Sequence, residues 1–255
     1  MRAPDALLAL AEDYVAGLEL SSDLGEQRAS MRYGLEGGKR IRAVVCLATA
    51  EAAGAEPEAA LPAAGALELV HAFSLVHDDL PALDDDDERR GRPSAHKAFG
   101  EGIAILAGDA LLVEAFRLVL SYPTSGAALE LAEATLGMIG GQYLDITGAD
   151  DDLAELHRLK TGRLFAASVG LGLRVAGVAS ADQRPWRAFG EELGLVFQIV
   201  DDVLDGDGYA ERLGADEARA LVQDAAGRAH AALDAIPQDT SVLREIVESL
   251  VVRTA

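Results

Sequence analysis

The sequence predicts an all-α protein, a single-domain helical bundle. Three observations carry that expectation. Apolar residues recur at three- and four-residue steps in about nine segments, no segment alternates in the manner of a strand, and glycine or proline falls between the segments. The spacing places helices over roughly 4–20, 39–54, 57–80, 100–121, 125–147, 151–177, 181–206, 211–236 and 239–253. The first is an acidic amphipathic stretch, not a signal peptide. Gly37-Gly38 opens the second; Gly54 with Pro57 separates it from the third, which stops at Pro81. Gly91 with Pro93 precedes the fourth and Pro123 ends it. Asp150-Asp151-Asp152 supplies an N-cap for the sixth, Gly206 and Gly208 close the seventh, and Pro237 divides the last two.

Composition supports one domain, residues 1–255, with no linker, repeat or low-complexity tail. Half of the 255 residues are hydrophobic, enough to bury a sizeable core. Acidic side chains outnumber basic ones 43 to 22, a net charge of −21, which argues against nucleic acid or an anionic membrane surface as partner. A single cysteine, Cys46, excludes an internal disulfide and a thiolate metal cluster. The longest uncharged apolar run, Leu164 to Leu173, is too short to span a bilayer, so a cytoplasmic protein without a membrane span is expected. Asparagine is absent and lysine occurs three times, at Lys39, Lys97 and Lys160.

Two acidic clusters stand out. In the first, Asp78 and Asp79 follow the apolar stretch Leu67 to Val76, and Asp84 to Asp87 lie just beyond Pro81. Most charge runs are solvated loops. Carboxylates at the end of a buried helix, however, are costly unless a positive charge meets them, and Pro81 lets Asp84 fold back toward Asp78. In the second, Asp201, Asp202 and Asp205 interrupt another apolar helix, with Asp201 and Asp205 four apart on one face. Carboxylates gathered without imidazole or thiolate suit Mg²⁺, which keeps several waters and shares a phosphate with the protein. An EF-hand does not fit, because Arg89 stands where a loop from Asp84 needs glycine.

The basic counterpart is Gly37-Gly38-Lys39-Arg40-Ile41-Arg42. Glycines before a helix expose backbone N–H groups, and Lys39 with Arg42 adds charge, so the segment reads as an anion site. Arg89-Arg90 and Lys160-Thr161-Gly162 add further phosphate ligands. The inventory fits a substrate with diphosphates held through Mg²⁺.

These motifs resemble the trans-polyprenyl diphosphate synthases, the bacterial farnesyl and geranylgeranyl type in particular. The resemblance runs from about Gly37 to Asp205: GGKRIR, then His71-Ala72-Phe73-Ser74-Leu75-Val76-His77-Asp78-Asp79 continuing through Arg89-Arg90-Gly91 and His96-Lys97 to Phe99, then Gly140-Gly141-Gln142-Tyr143-Leu144-Asp145, Lys160-Thr161-Gly162 and Phe197-Gln198-Ile199-Val200-Asp201-Asp202. It implies a helical bundle with a central apolar pocket, and a head-to-tail condensation of isopentenyl diphosphate with an allylic diphosphate, dimethylallyl or geranyl, through an allylic carbocation. Gly38, Lys39, Arg42, His71 and Arg90 would hold the isopentenyl diphosphate. Asp78, Asp84, Asp201, Asp202 and Asp205 would bind Mg²⁺, three ions with the substrate diphosphate. Arg89, Lys160, Thr161 and Gln198 would contact the allylic substrate and serve the chemistry. Phe73, with Ser74, would set chain length by closing the pocket five residues below Asp78, about 7 Å down the helix. The expected product is C15, with C20 second. His77, His96, His157 and His230 are left as structural, and Tyr143, Phe116 and Met138 as core. A homodimer is implied.

The match stops after Asp205. Family members follow the second cluster with a lysine-containing loop, whereas this chain has no lysine beyond Lys160, leaving Arg212 or Arg253 as substitutes. Two rival readings remain. A class I terpene cyclase normally uses asparagine in its second metal motif, and this chain has none. A non-catalytic subunit of a heteromeric prenyltransferase would be expected to have lost the aspartates that are intact here.

Overall fold

The computed structural model describes residues 1–148 and 152–254, and it is all-α apart from one short ladder. The helices are α1 (Pro4–Ala16), α2 (Arg28–Leu35), α3 (Ile41–Ala52), α4 (Leu61–Asp78), α5 (Ala95–Phe99), α6 (Glu101–Val119), α7 (Gly126–Thr147), α8 (Leu153–His157), α9 (Arg163–Val175), α10 (Arg184–Asp205), α11 (Gly208–Leu213), α12 (Ala215–Asp234) and α13 (Ser241–Val251). Between α4 and α5, β1 (Glu88–Arg89) and β2 (Arg92–Pro93) pair antiparallel.

α4 is the spine. Its sequence is apolar on every side, so it is buried on several faces, packed against α3 and α6. Pro62 sits in its first turn, where the missing N–H costs nothing. α9 packs on α3, α7 and α10, and α10 on α12. The span Pro57–Asp78 is long and apolar enough to cross a bilayer, but most of that span is buried in the fold, as in a core helix.

The sequence expectations hold for the long helices and fail where the chain is polar or short. A 3₁₀ turn over Ser22–Gln27 and α2 were not expected, because α2 is short and mostly polar, burying only Ser30, Met31 and Leu35. Nor was the ladder, whose four residues carry no alternating pattern. The helix expected over 151–177 is interrupted by a π turn, Arg158–Gly162. Asp152 caps α8, its Oδ1 accepting from the Glu155 N–H at 3.2 Å, while Asp150 and Asp151 lie outside the described residues.

Candidate active site

The helices enclose a cavity of about 470 Å³, bordered by Arg42, His71, Phe73, Ser74, Asp78, Leu83, Met138, Gln142, Tyr143, Lys160 and Thr161 among others. Its wall is mostly apolar. Beside it lies a basic recess lined by Gly38, Lys39, Arg40, Arg42, Glu68, His71 and Arg90. Arg42 and His71 border both spaces, so they stand between them.

The recess is built on a buried acid. Glu68 on α4 is only 3% exposed. It accepts from Arg40 Nη1 at 3.2 Å and from the Ala43 N–H at 3.2 Å. It thereby fixes Arg40, a non-glycine residue at φ 49°, at the start of α3. Gly38, at φ 91°, has a conformation that favours glycine, and a Cβ there would meet Arg90 Nη2 at 2.9 Å, so a side chain would displace that guanidinium. Arg90 is held from behind, its Nη1 donating to the Glu36 carbonyl at 2.7 Å. Arg42 lies 4.5 Å from the Phe165 ring centre and 5.7 Å from that of Phe197. Burial pushes its pKa down to about 10, and its Nε has no hydrogen-bond partner. Burial and the charges of Arg42, Arg90, Arg40 and Arg89 push His71 well below the ordinary histidine value, so its imidazole is neutral. A recess lined in this way is suited to an anion.

The first acidic cluster opens on the cavity. The chain turns after α4 as Pro81 requires, and the Asp84 N–H donates to the Asp78 carbonyl at 2.9 Å. Burial raises the Asp78 carboxyl to about 6, with Asp84 and Asp79 adding to the rise and Lys160 opposing it. Asp84 is raised for the same first reason. Asp79 turns the other way, buried and paired with Arg89, whose Nε donates to it at 2.9 Å and whose Nη2 donates to Asp86 at 2.8 Å. Lys160 pairs with Asp145 and stands in the field of Asp78 and Asp84. Its place depends on Gly141, where a Cβ would lie 2.4 Å from the Lys160 backbone nitrogen. That close approach seats the π turn against α7, a distortion common at functional sites.

The second cluster divides. Asp201 faces the basic side: burial raises its carboxyl while Lys39, Arg253 and Arg42 pull it down. Asp205 is exposed beside it. Asp202, only 3% exposed, is caged. It accepts from Gln198 Nε2 at 2.6 Å and from the Tyr209 N–H at 2.8 Å, with His157 Nδ1 3.6 Å away. Gln198 borders a separate cavity behind α9 and α10.

Of the residues singled out in the sequence, the fold thus gathers Gly38, Lys39, Arg42, His71 and Arg90 around the recess. Phe73, Ser74, Asp78, Lys160 and Thr161 line the cavity; Asp84 stands in the field of Lys160, and Asp201 in that of Lys39, Arg253 and Arg42. It does not bring Arg89, Gln198 or the Asp202 carboxylate to the cavity. Sequence reasoning missed Glu68, whose burial in an apolar helix was a signal in itself, and Gln142, both of whose amide atoms are buried without a partner. It also left Tyr143, Met138 and His77 as core or structural residues, and all three border the cavity. The all-oxygen donor set of Asp78, Asp84, Asp201 and Asp205, with burial raising Asp78, Asp84 and Asp201, fits Mg²⁺: a hard cation would relieve the cost of ionising those groups together.

The Polyprenyl synthetase family model matches residues 26–248. The farnesyl diphosphate synthase of Geobacillus stearothermophilus is 41% identical over 217 residues, 79% of this chain and 72% of that protein. The geranylgeranyl diphosphate synthase of Cyanophora paradoxa is 44% identical over 201 residues, 72% of this chain and 67% of the relative. Among solved structures, an apo FPP/GFPP synthase from Zymomonas mobilis superposes with a TM-score of 0.86 at 30% identity, covering 97% of each chain.

Proposed function

The chain belongs to the polyprenyl synthetase family and is a prenyltransferase, and on that premise we propose that it joins isopentenyl diphosphate head-to-tail to dimethylallyl or geranyl diphosphate, chiefly to a C15 product. One observation carries the reading: an apolar cavity bordered by Asp78 and Lys160 adjoins a cationic recess through Arg42 and His71. Lys39, Arg42, His71 and Arg90, with the Gly38 backbone, bind the isopentenyl diphosphate. Asp78, Asp84, Asp201 and Asp205 would hold Mg²⁺, with Lys160 and Thr161 beside the allylic diphosphate. Bound Mg²⁺ supplies the charge that stabilises the departing diphosphate. Lys160 adds to it, and the apolar wall excludes water from the allylic cation. The double bond of isopentenyl diphosphate attacks that cation, and the proton then lost goes to the released diphosphate, so no protein base is required. Asp202, Gln198 and Arg89 act as supports for Asp201 and the first motif. The enzyme works in the cytoplasm. It works as a homodimer, for which Leu106 and Val113 on α6, Leu120 just beyond its end, and Leu129 and Leu136 on α7 offer an exposed apolar face.

Phe73 stands in the cavity wall, its ring 5.0 Å from that of His77, and closes the tail space. Incubation with labelled isopentenyl diphosphate, Mg²⁺ and each allylic diphosphate, followed by chromatography of the dephosphorylated products, tests the whole reading. A C15 alcohol is expected, and Phe73→Ala should lengthen it by at least one isoprene unit. A cyclic hydrocarbon, or no product from the pure protein, would overturn the assignment in favour of a cyclase or a non-catalytic subunit.

A further inference from the structure

Outside the catalytic cluster, one carboxylate oxygen each from Asp85 and Asp87 and one imidazole nitrogen of His96 lie within 4.8 Å of one another. His96 belongs to α5 and is only 6% exposed, whereas both aspartates are exposed on the loop after Asp84. Its Nδ1 sits 3.0 Å from Oγ of the buried Ser94, and its Nε2 is buried with no hydrogen-bond partner. A ring nitrogen removed from water and left unpaired is unfavourable unless something else meets it. The neighbouring cations do not balance the loop. Arg89 is taken by Asp79 and Asp86, and Lys97 reaches only Asp87 Oδ1, at 2.6 Å. The Asp85 carboxylate has no hydrogen bond or ion pair among the described residues.

We propose that Asp85, Asp87 and His96 form a second metal site, for a borderline divalent cation of the Zn²⁺ type, separate from the Mg²⁺ cluster. The donor set decides the metal. Imidazole with two carboxylates suits zinc and its neighbours, whereas Mg²⁺ prefers oxygen alone. In the tautomer with Nδ1 protonated and donating to Ser94 Oγ, Nε2 would present its lone pair, the usual outer-shell support of a metal-bound histidine. Tetrahedral bonds of about 2 Å would space the ligand atoms roughly 3.3 Å apart. The exposed aspartates can supply that contraction by rotating inward. A bound ion would tie the loop carrying Asp84, Arg89 and Arg90 to α5, a clamp on groups of both substrate sites.

Equilibrium dialysis against Zn²⁺ in excess Mg²⁺, with Co²⁺ absorption as a second readout, tests this on the whole protein. Wild type should take up one Zn²⁺ and show visible Co²⁺ bands, and an Asp78→Asn, Asp201→Asn double variant should keep both. Asp85→Asn should weaken uptake at least tenfold. Asparagine tolerates the positive φ of 52° at that position, so this exposed change leaves the fold in place. His96→Gln should abolish the Co²⁺ bands. Unchanged Zn²⁺ affinity in Asp85→Asn, or loss of uptake in the Asp78, Asp201 double variant alone, would overturn the proposal.

Discussion

The two aspartate motifs look alike in sequence and are used differently in the fold. In the first, Asp78 borders the cavity and Asp84 folds back toward it, both carboxyls raised by burial, while Asp79 goes to Arg89. In the second, Asp201 faces the basic side, while Asp202 closes the start of α11 and holds Gln198. Each motif therefore spends one carboxylate of its Asp-Asp pair on structure, while the other makes no such contact. The two part company downstream. After Asp84 comes a full loop with Arg89 and Arg90 before α5, which carries Lys97, whereas after Asp205 the chain enters α11 within three residues. The second motif must draw its cationic help from elsewhere in the fold.

Substituting Asp78 should give the largest effect. Asp78→Asn should lower turnover by about a thousandfold or more, with the helical circular-dichroism spectrum unchanged, because it removes charge needed only as the diphosphate departs. Chelation of Mg²⁺ should silence the wild type in the same assay. Near-normal turnover in the variant at saturating substrate would break the first half of the comparison.

Asp202 should separate from Asp78 by failing differently. Asp202→Ala leaves Gln198 and the Tyr209 N–H without their acceptor, at a cost of about 1–3 kcal/mol, and should lower Tm by several degrees. Asp201→Asn, which removes a costly buried charge, should leave Tm equal or higher while lowering turnover. If Asp202→Ala melts at the wild-type temperature and only its turnover falls, Asp202 faces ligand rather than structure.

These contrasts also show what the sequence made legible. The long apolar helices announced themselves by period, and the spacing of Asp78 from Asp84, with Pro81 between, indicated the fold-back that the structure contains. The division of labour within each Asp-Asp pair was not legible. It depends on which neighbour reaches back, Arg89 across the loop or Tyr209 across a turn, and neither distance is written in local pattern. Glu68 was hidden for a related reason. A lone acid in an apolar helix reads as an exception until the αL residue Arg40 and the Ala43 N–H are brought to it from α3. Gln142 needed the cavity itself, since only enclosure shows that its amide lacks partners.

The short connection after Asp205 raises the question of which arginine serves the second motif. Arg253, in the final turn, acts on the Asp201 carboxyl and has Nη1 buried without a hydrogen-bond partner, whereas Arg212 acts on His157 and Tyr209, the groups around Asp202. Arg253→Ala should therefore weaken allylic diphosphate binding about tenfold by calorimetry, and Arg212→Ala should change it less than threefold. The reverse order would assign the compensation to Arg212.

The smallest expected effect is a fraction of a proton at His71. Burial and four arginines hold its folded pKa well below the unfolded value of about 6.5, so the ring is neutral at pH 7. A group depressed in this way binds more protons unfolded than folded, so the protein without substrate should lose stability as pH falls through about 6.5. A bound diphosphate reverses the local sign: its charge offsets the arginines and raises the histidine toward protonation. Binding of isopentenyl diphosphate should then take up protons, increasingly as pH falls from about 8 toward 7. Calorimetry in two buffers of different ionisation enthalpy measures that number directly. Omitting Mg²⁺ keeps Asp78, itself raised to about 6, from releasing a proton to the metal in the same experiment. His71→Gln, which keeps a hydrogen-bond donor but cannot titrate, should bind with uptake reduced to the diphosphate's own share. Equal uptake in both proteins would show that His71 stays neutral with substrate bound, and that the recess holds its anion through Lys39, Arg42 and Arg90 alone.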